Sequence, residues 1–291
     1  METRLYRRLA QFILQVAHPR QKRTQFNDHL IILVLLWAYL HDRSVSWACD
    51  ADNWPKELDH PLPSSATMSR RCRRLGVSQL LERVMQKLID LFPESIFNSI
   101  DSMPLRISHY SRDRDAKRGR AAGDMARGYK LHAISNRGVI RHWLLTGMHC
   151  NDQTAAHDLL KNLSGEGYVV ADNGYDSNPV HASAQANGHQ LIAPPRRNNS
   201  GVRDIRRNTA ARLRALDVCD SPLMHAGLNS DFGNGLLIGR KGIERDFSLL
   251  NFNGMHAPPP HVRRPRRVAL WAAIKILIVM FKRAQNAGLV T

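Results

Sequence analysis

Asn98-Ser99-Ile100-Asp101-Ser102-Met103-Pro104-Leu105 sets a carboxylate inside an apolar run. Met103, Leu105 and Ile107 alternate with polar or small residues, the period of a half-buried strand. A charge on such a strand is costly to bury unless something compensates it, and a metal ion is one such partner. Two further carboxylates sit in settings that would complete a metal site. Asp172 ends the buried-type strand Tyr168-Val169-Val170-Ala171 and precedes the sharp turn of Asn173-Gly174-Tyr175. Glu244 lies in Arg240-Lys241-Gly242-Ile243-Glu244-Arg245-Asp246-Phe247. The spacings are 71 and 72 residues. The expectation is that the three meet, and that the basic remainder of the chain brings a nucleic-acid phosphate to them.

The chain has 291 residues, enough for one large domain or two smaller ones with a sizeable core. Its formal net charge of +17 favours a polyanionic partner, with nucleic acid ahead of an acidic membrane surface. The charge is clustered: residues 70–74 carry a net +4 and residues 196–214 a net +6. Clustering of this kind suits phosphate tracking, the plainer reading being solvated loops. Cys49, Cys72, Cys150 and Cys219 form no Cys-x-x-Cys pair, so neither a zinc site nor a disulfide framework is indicated. That suits a reducing cytoplasm, and the N-terminus does not read as a secretory signal. The apolar runs Leu30–Leu40 and Val268–Phe281 fall short of the roughly 20 residues that span a bilayer and read as buried helices, the second containing Lys275.

Leu5, Leu9, Phe12, Ile13 and Val16 recur at helical spacing, and Asn27 or Asp28 would cap a second helix through Leu40. Ser64 or Ser65 would cap a short helix over about 66–75 that carries Arg70, Arg71, Arg73 and Arg74. This is either the recognition helix of a helix-turn-helix or a packing helix with a solvated arginine face. Leu80, Leu81, Val84, Met85, Leu88 and Ile89 mark another helix, ended by Pro93. Residues 1–94 therefore read as an all-helical N-terminal domain with a DNA-binding role.

After Pro93 strand-like runs appear at 96–107, 129–134, 138–146 and 168–171, with a helix over 152–163 before the last. Residues 179–186 read as a helix, 190–193 as a strand, 204–216 as a basic helix, 237–250 as a helix, and 267–283 as a final apolar helix. Three strands, a helix and a strand argue for a mixed α/β sheet over 95–291.

Divalent cations such as Mg²⁺ take oxygen ligands, and two of them can activate a water or a 3′-hydroxyl and stabilise the leaving oxygen in phosphodiester cleavage. Asp172, at the C-terminal end of a strand, is in a common site position for α/β folds. Arg240 shares a helix face with Glu244 and would hold a phosphate, or simply pair with the carboxylate.

Ile100-Asp101-Ser102-Met103-Pro104-Leu105, Gly128-Tyr129-Lys130-Leu131-His132, Asp172-Asn173-Gly174-Tyr175, Arg240-x-x-x-Glu244-Arg245-x-Phe247 and Arg266-Arg267-Val268-Ala269-Leu270 together resemble a DDE transposase of a bacterial insertion sequence. That family belongs to the RNase H-like superfamily that includes retroviral integrases. The resemblance covers about residues 96–285. It implies an α/β RNase H-like core, two Mg²⁺ or Mn²⁺ ions, and Asp101, Asp172 and Glu244 as catalytic residues and metal ligands. It also implies that Lys130 faces DNA, where the residues alone say only that its strand is half-buried. Many such enzymes carry Tyr three residues before the motif Arg and Lys seven after the Glu. Here those positions are Leu237 and Asn251. Their DNA contacts would fall to Lys241, Arg245 or a basic loop such as that of Arg196 and Arg197.

The resulting expectation is a transposase that cuts double-stranded DNA at transposon ends and transfers the freed strand to target DNA, acting as a homodimer on DNA in the cytoplasm, at the nucleoid. The rivals are a metal-dependent nuclease without strand transfer and a decayed, DNA-binding derivative. No Ser or Tyr has the cluster of activating Arg and His that a covalent recombinase needs.

Overall fold

The computed structural model describes residues 2–19, 24–58, 61–121, 123–195, 203–219, 236 and 238–290. It divides into two compact units. The first comprises Met1–Pro93, Ile107–Ala116 and Leu250–Thr291, the second Glu94–Arg106 and Lys117–Leu249. The break after Pro93 lies where the composition changes. The last apolar helix departs from expectation, because it belongs with the N-terminal helices rather than with the sheet.

The first unit contains α1 (Glu2–Leu14), α2 (Asp28–Leu40), α3 (Ser65–Arg71), α4 (Leu75–Ile89) and the C-terminal helix, here α9 (Pro265–Asn286). Asn27 caps α2, its side chain accepting from the Leu30 N–H at 2.8 Å. Nearly the whole of α2 is buried, and α1, α4 and α9 pack on it, which is why its run is apolar on every side. Ser64 caps α3, accepting from the Thr67 N–H. The stretch read as one helix over 66–75 ends at Arg71, and Leu75 opens α4. Lys275, the charge inside the last apolar run, is buried and donates to Asp42 at 2.5 Å and to the Asn253 carbonyl at 2.9 Å. Among the described residues no helix is long and apolar enough to cross a membrane.

The second unit is built on a mixed sheet of β1 (Phe97–Arg106), β2 (Lys117–Ala121), β3 (Asp124–Asn136), β4 (Val139–Gly147), β5 (Gly167–Val170) and β6 (His189–Ile192). β3 lies antiparallel to β1 and pairs through its first part with β2 and through its second with β4. β5 runs parallel to β1, and β6 parallel to β5. β2 lies outside the strand-like runs read from the sequence and carries Lys117, Arg118 and Arg120. Gly128 allows β3 to close on β1, since a Cβ there would lie 2.1 Å from the Leu105 carbonyl oxygen.

Both faces of the sheet are covered, as an α/β core requires. On one, Ile100, Ile134, Val169 and Leu191 pack against α5 (Asp152–Lys161) and α6 (Asn178–Ala186). On the other, Val170 and Ile192 pack against Ala215 of α7 (Ala210–Cys219) and Leu236. Alternation along β5 and β6 thus sends successive residues into two cores. The helix expected over 204–216 begins only at Ala210. α8 (Lys241–Leu250) lies just after Leu236 in sequence.

Candidate active site

The pairing register delivers the first two carboxylates together. Ser99 of β1 is the partner of Val170 in parallel β5. Asp101 stands two residues beyond Ser99, and Asp172 two beyond Val170. Neighbouring strands lie about 4.8 Å apart, so both acids leave the sheet at one level. Asp172 takes the turn expected of it, with the Gly174 N–H donating to its Oδ1 at 2.8 Å. Asp101 accepts from the Ser102 N–H at 2.7 Å.

Asp101 carries little compensation. Burial pushes its carboxyl up to about 6, the Ser102 N–H opposes that, and the charges of Asp172 and Asp152 push in the same direction as burial. Arg240 acts on it in the opposite, favourable direction.

Arg240 precedes α8 by one residue and is half-buried. Its guanidinium lies 3.1 Å from Glu244, the ordinary i,i+4 pair that the spacing allows. Two ties set this segment against the sheet. The Ser99 hydroxyl donates to the Gly239 carbonyl at 3.2 Å, and the Ser135 hydroxyl donates to Asp246. Ser99 and Ser135 are cross-strand partners. The third acid therefore belongs to a helix anchored two residues from Asp101 on the same strand face. Its carboxylate is engaged by Arg240 and exposed to solvent.

A fourth acid was not singled out in the sequence. Asp152 opens α5, where it reads as a helix-start carboxylate. Its Oδ1 receives the Lys130 ammonium at 3.1 Å and stands 3.4 Å from His132 Nδ1. Lys130 also donates to the Cys150 carbonyl at 3.1 Å and is 8% exposed, so the expectation that it faces DNA gives way to an interior role. His132, bonded through Nε2 to the Thr146 hydroxyl at 2.9 Å, is held down to about 4, by burial first, with Asp152 opposing and Lys130 adding to the fall.

The other expected DNA contacts divide. Lys241 and Arg245 are exposed on the outer face of α8, as is Arg70 on α3. Arg71 is not, since it is buried and donates to Asp28 at 2.6 Å. Asp28 is itself buried beside His18, and this removes Arg71 from any solvent face. Arg196, Arg197 and Leu237 lie outside the described residues.

The acids are all oxygen donors, and the charge crowded around Asp101 is the setting in which a hard divalent cation compensates carboxylates. The donor chemistry fits such an ion. Among the described residues no three His, Cys, Asp or Glu side chains are gathered closely enough to hold one as they stand.

Comparison with known proteins gives the family. The Transposase DDE domain family model matches residues 93–281, which include all three acids. None of the curated proteins matches this chain. The structure is similar to that of piggyBac transposase, solved by cryo-EM as a synaptic complex with hairpin DNA. The two share 12% identity at a TM-score of 0.51, over 99% of this chain and 73% of that one, which is a likeness of fold alone. On the family match the chain belongs to the Transposase DDE domain family, and it is a DNA transposase of the DDE type.

Proposed function

We propose that this transposase cuts a phosphodiester at each transposon end to free a 3′-hydroxyl, then directs that hydroxyl at target DNA, with Asp101, Asp172 and Glu244 as the catalytic acids. DDE transposases use divalent metal, and here the three acids would hold two Mg²⁺ or Mn²⁺ ions. When bound, the ions supply Lewis-acid activation of the attacking oxygen and stabilise the leaving oxygen. The observation that carries the reading is the arrival of Asp101 and Asp172 at one level of adjacent parallel strands.

The protein's own part is positioning. Asp101 stands in the middle of β1, and Asp172 opens the turn just beyond β5. Glu244 joins them when Arg240 exchanges its carboxylate partner for a DNA phosphate, a bidentate acceptor that a guanidinium matches equally well. Lys241 and Arg245 on the exposed face of α8, with Arg70, Arg196 and Arg197, track the backbone with their charges. Strand transfer needs two ends held together, so the DNA-bound form is read as a homodimer.

The test is cleavage of a linear DNA carrying the element's own ends, with Mg²⁺ or Mn²⁺, comparing wild type with Asp172→Asn. Cleavage that needs the metal and is lost in the variant is expected. A wild type that binds the ends and never cuts them overturns the reading, and joining of labelled ends to a target separates transposition from simple nuclease action.

A further inference from the structure

The core beneath the two carboxylates holds a hydroxyl that packing does not need. Tyr175 closes the single turn Asn173–Tyr175 that Asp172 caps, three residues after that acid. Its ring fills the core with Ile100, Val169 and Val180 and is 1% exposed. A phenylalanine ring would fill the same place. The Oη is buried and makes no well-formed hydrogen bond among the described residues. The Ser102 hydroxyl approaches it without closing such a bond. A buried donor left without an acceptor lowers stability, so native structures rarely keep one unless a water, an ion or a functional arrangement accounts for it.

The surroundings of this donor are acidic. Burial first, then the charges of Asp152, Asp101 and Asp172, hold the phenol well above the usual tyrosine range. A phenol is an O–H donor at neutral pH, and these three carboxylates are the charges that act on it. Asp152 is already committed to Lys130. Asp101 and Asp172 each accept only one backbone N–H in the described contacts and keep unused lone pairs.

We propose that Tyr175 is a positioning residue of the carboxylate centre, its phenol donating the hydrogen bond that holds an oxygen of the Asp101–Asp172 pair in the orientation that grips a cation. The inference rests on the reading of that pair as the cation site. With a cation held by the two carboxylates, the phenol would donate to an oxygen of the pair. A hydrogen bond to a ligating carboxylate fixes its orientation, and loss of such a bond weakens metal affinity by roughly 10- to 100-fold.

The experiment is calorimetric titration of the full-length protein with Mn²⁺ alone, for wild type, Tyr175→Phe and Asp172→Asn, each with its melting temperature. Tyr175→Phe is expected to weaken Mn²⁺ binding roughly tenfold while melting at the wild-type temperature or above. Unchanged affinity in Tyr175→Phe, with affinity lost in Asp172→Asn, overturns this inference and leaves the carboxylate site intact. Unchanged affinity in both variants removes the carboxylate reading along with it. A markedly lower melting temperature in Tyr175→Phe means the hydroxyl is satisfied within the fold, and that too overturns the proposal.

Discussion

Asp101 and Asp176 lie in the same sheet unit, and their surroundings treat them in opposite ways. Asp176 is 4% exposed, yet the Arg212 guanidinium grips both its oxygens at 2.8 and 2.7 Å and His181 stands at 3.3 Å. Burial pushes its carboxyl up, and the bonds from His181 and Arg212 outweigh that and hold it at about 2. Asp101 has no such partner and is pushed up to about 6. One carboxylate is neutralised by the fold, and the other is left for something the fold does not contain. A buried acid whose charge is already balanced joins elements, here α7 to the turn after β5. One whose charge is unbalanced marks a site.

The largest effect that would break this contrast is catalytic. Asp101→Asn and Asp172→Asn should each lower metal-dependent cleavage by roughly 1,000-fold or more, the scale of several kcal/mol of transition-state stabilisation. The melting temperature of Asp101→Asn without metal should stay level or rise at neutral pH, because it removes a poorly compensated buried charge. Residual metal-dependent cleavage near the wild-type rate in an end-cleavage assay would remove these acids from the chemistry.

Next in size is the structural acid. Arg212→Leu strands Asp176 with only His181 and should cost about 3–5 kcal/mol by denaturant unfolding, the usual result of breaking a buried pair. Replacing both members with apolar residues should recover much of that loss. A cost under about 1 kcal/mol would mean that Asp176 is no better compensated than Asp101.

The two acids also predict opposite pH responses in metal-free protein. Asp176 has a folded pKa below its unfolded value, so its stabilisation is present above about 3.9 and is lost as pH falls towards about 2. Asp101 has a folded pKa above its unfolded value, so the folded state binds more protons between about 3.9 and about 6 and stability falls as pH rises through that window. His132, held down to about 4, gives the reverse slope over much of the same range. The Asp101 contribution must therefore be read as the difference between wild type and Asp101→Asn. That difference should favour wild type increasingly as pH drops from about 6 to about 4, by on the order of 1–2 kcal/mol after allowance for partial exposure. A difference that does not change with pH would show Asp101 to be ordinarily solvated.

Much of this arrangement was legible because its signals are local. Alternation around Asp101, the buried run before Asp172, and the Asn27 and Ser64 caps are each decided within a few residues. What escaped depends on partners far away in the chain. Arg71 reads like its neighbours Arg70, Arg73 and Arg74, and only Asp28, 43 residues earlier, takes it inside. Lys130 on a half-buried strand gives no hint of Asp152, 22 residues later. β2 was hidden by its own charge, since Lys117, Arg118 and Arg120 suppress a strand pattern that Gly119 and Ala121 still keep by being buried. The last apolar helix reads the same whichever core receives it.

The smallest predicted effect sharpens the contrast among the arginines and lysines rather than the acids. α8 turns Ile243, Asp246, Phe247 and Leu250 inward and Lys241, Glu244 and Arg245 outward. The Arg245 Nε–H donates to the Lys241 carbonyl at 3.3 Å, a bond that leaves its charge unneutralised. A cation on this face gains by displacing counterions from DNA phosphate. Lys241→Ala and Arg245→Ala should then each weaken binding uniformly across sequences and reduce the slope of log K against log salt by about 1. Arg71→Leu should leave that slope unchanged and lower stability instead, because its charge already belongs to Asp28. Binding isotherms at several salt concentrations, paired with melting curves, place each residue. If Arg71→Leu changes the salt slope and Lys241→Ala does not, burial has been misread as a guide to which basic residues meet DNA.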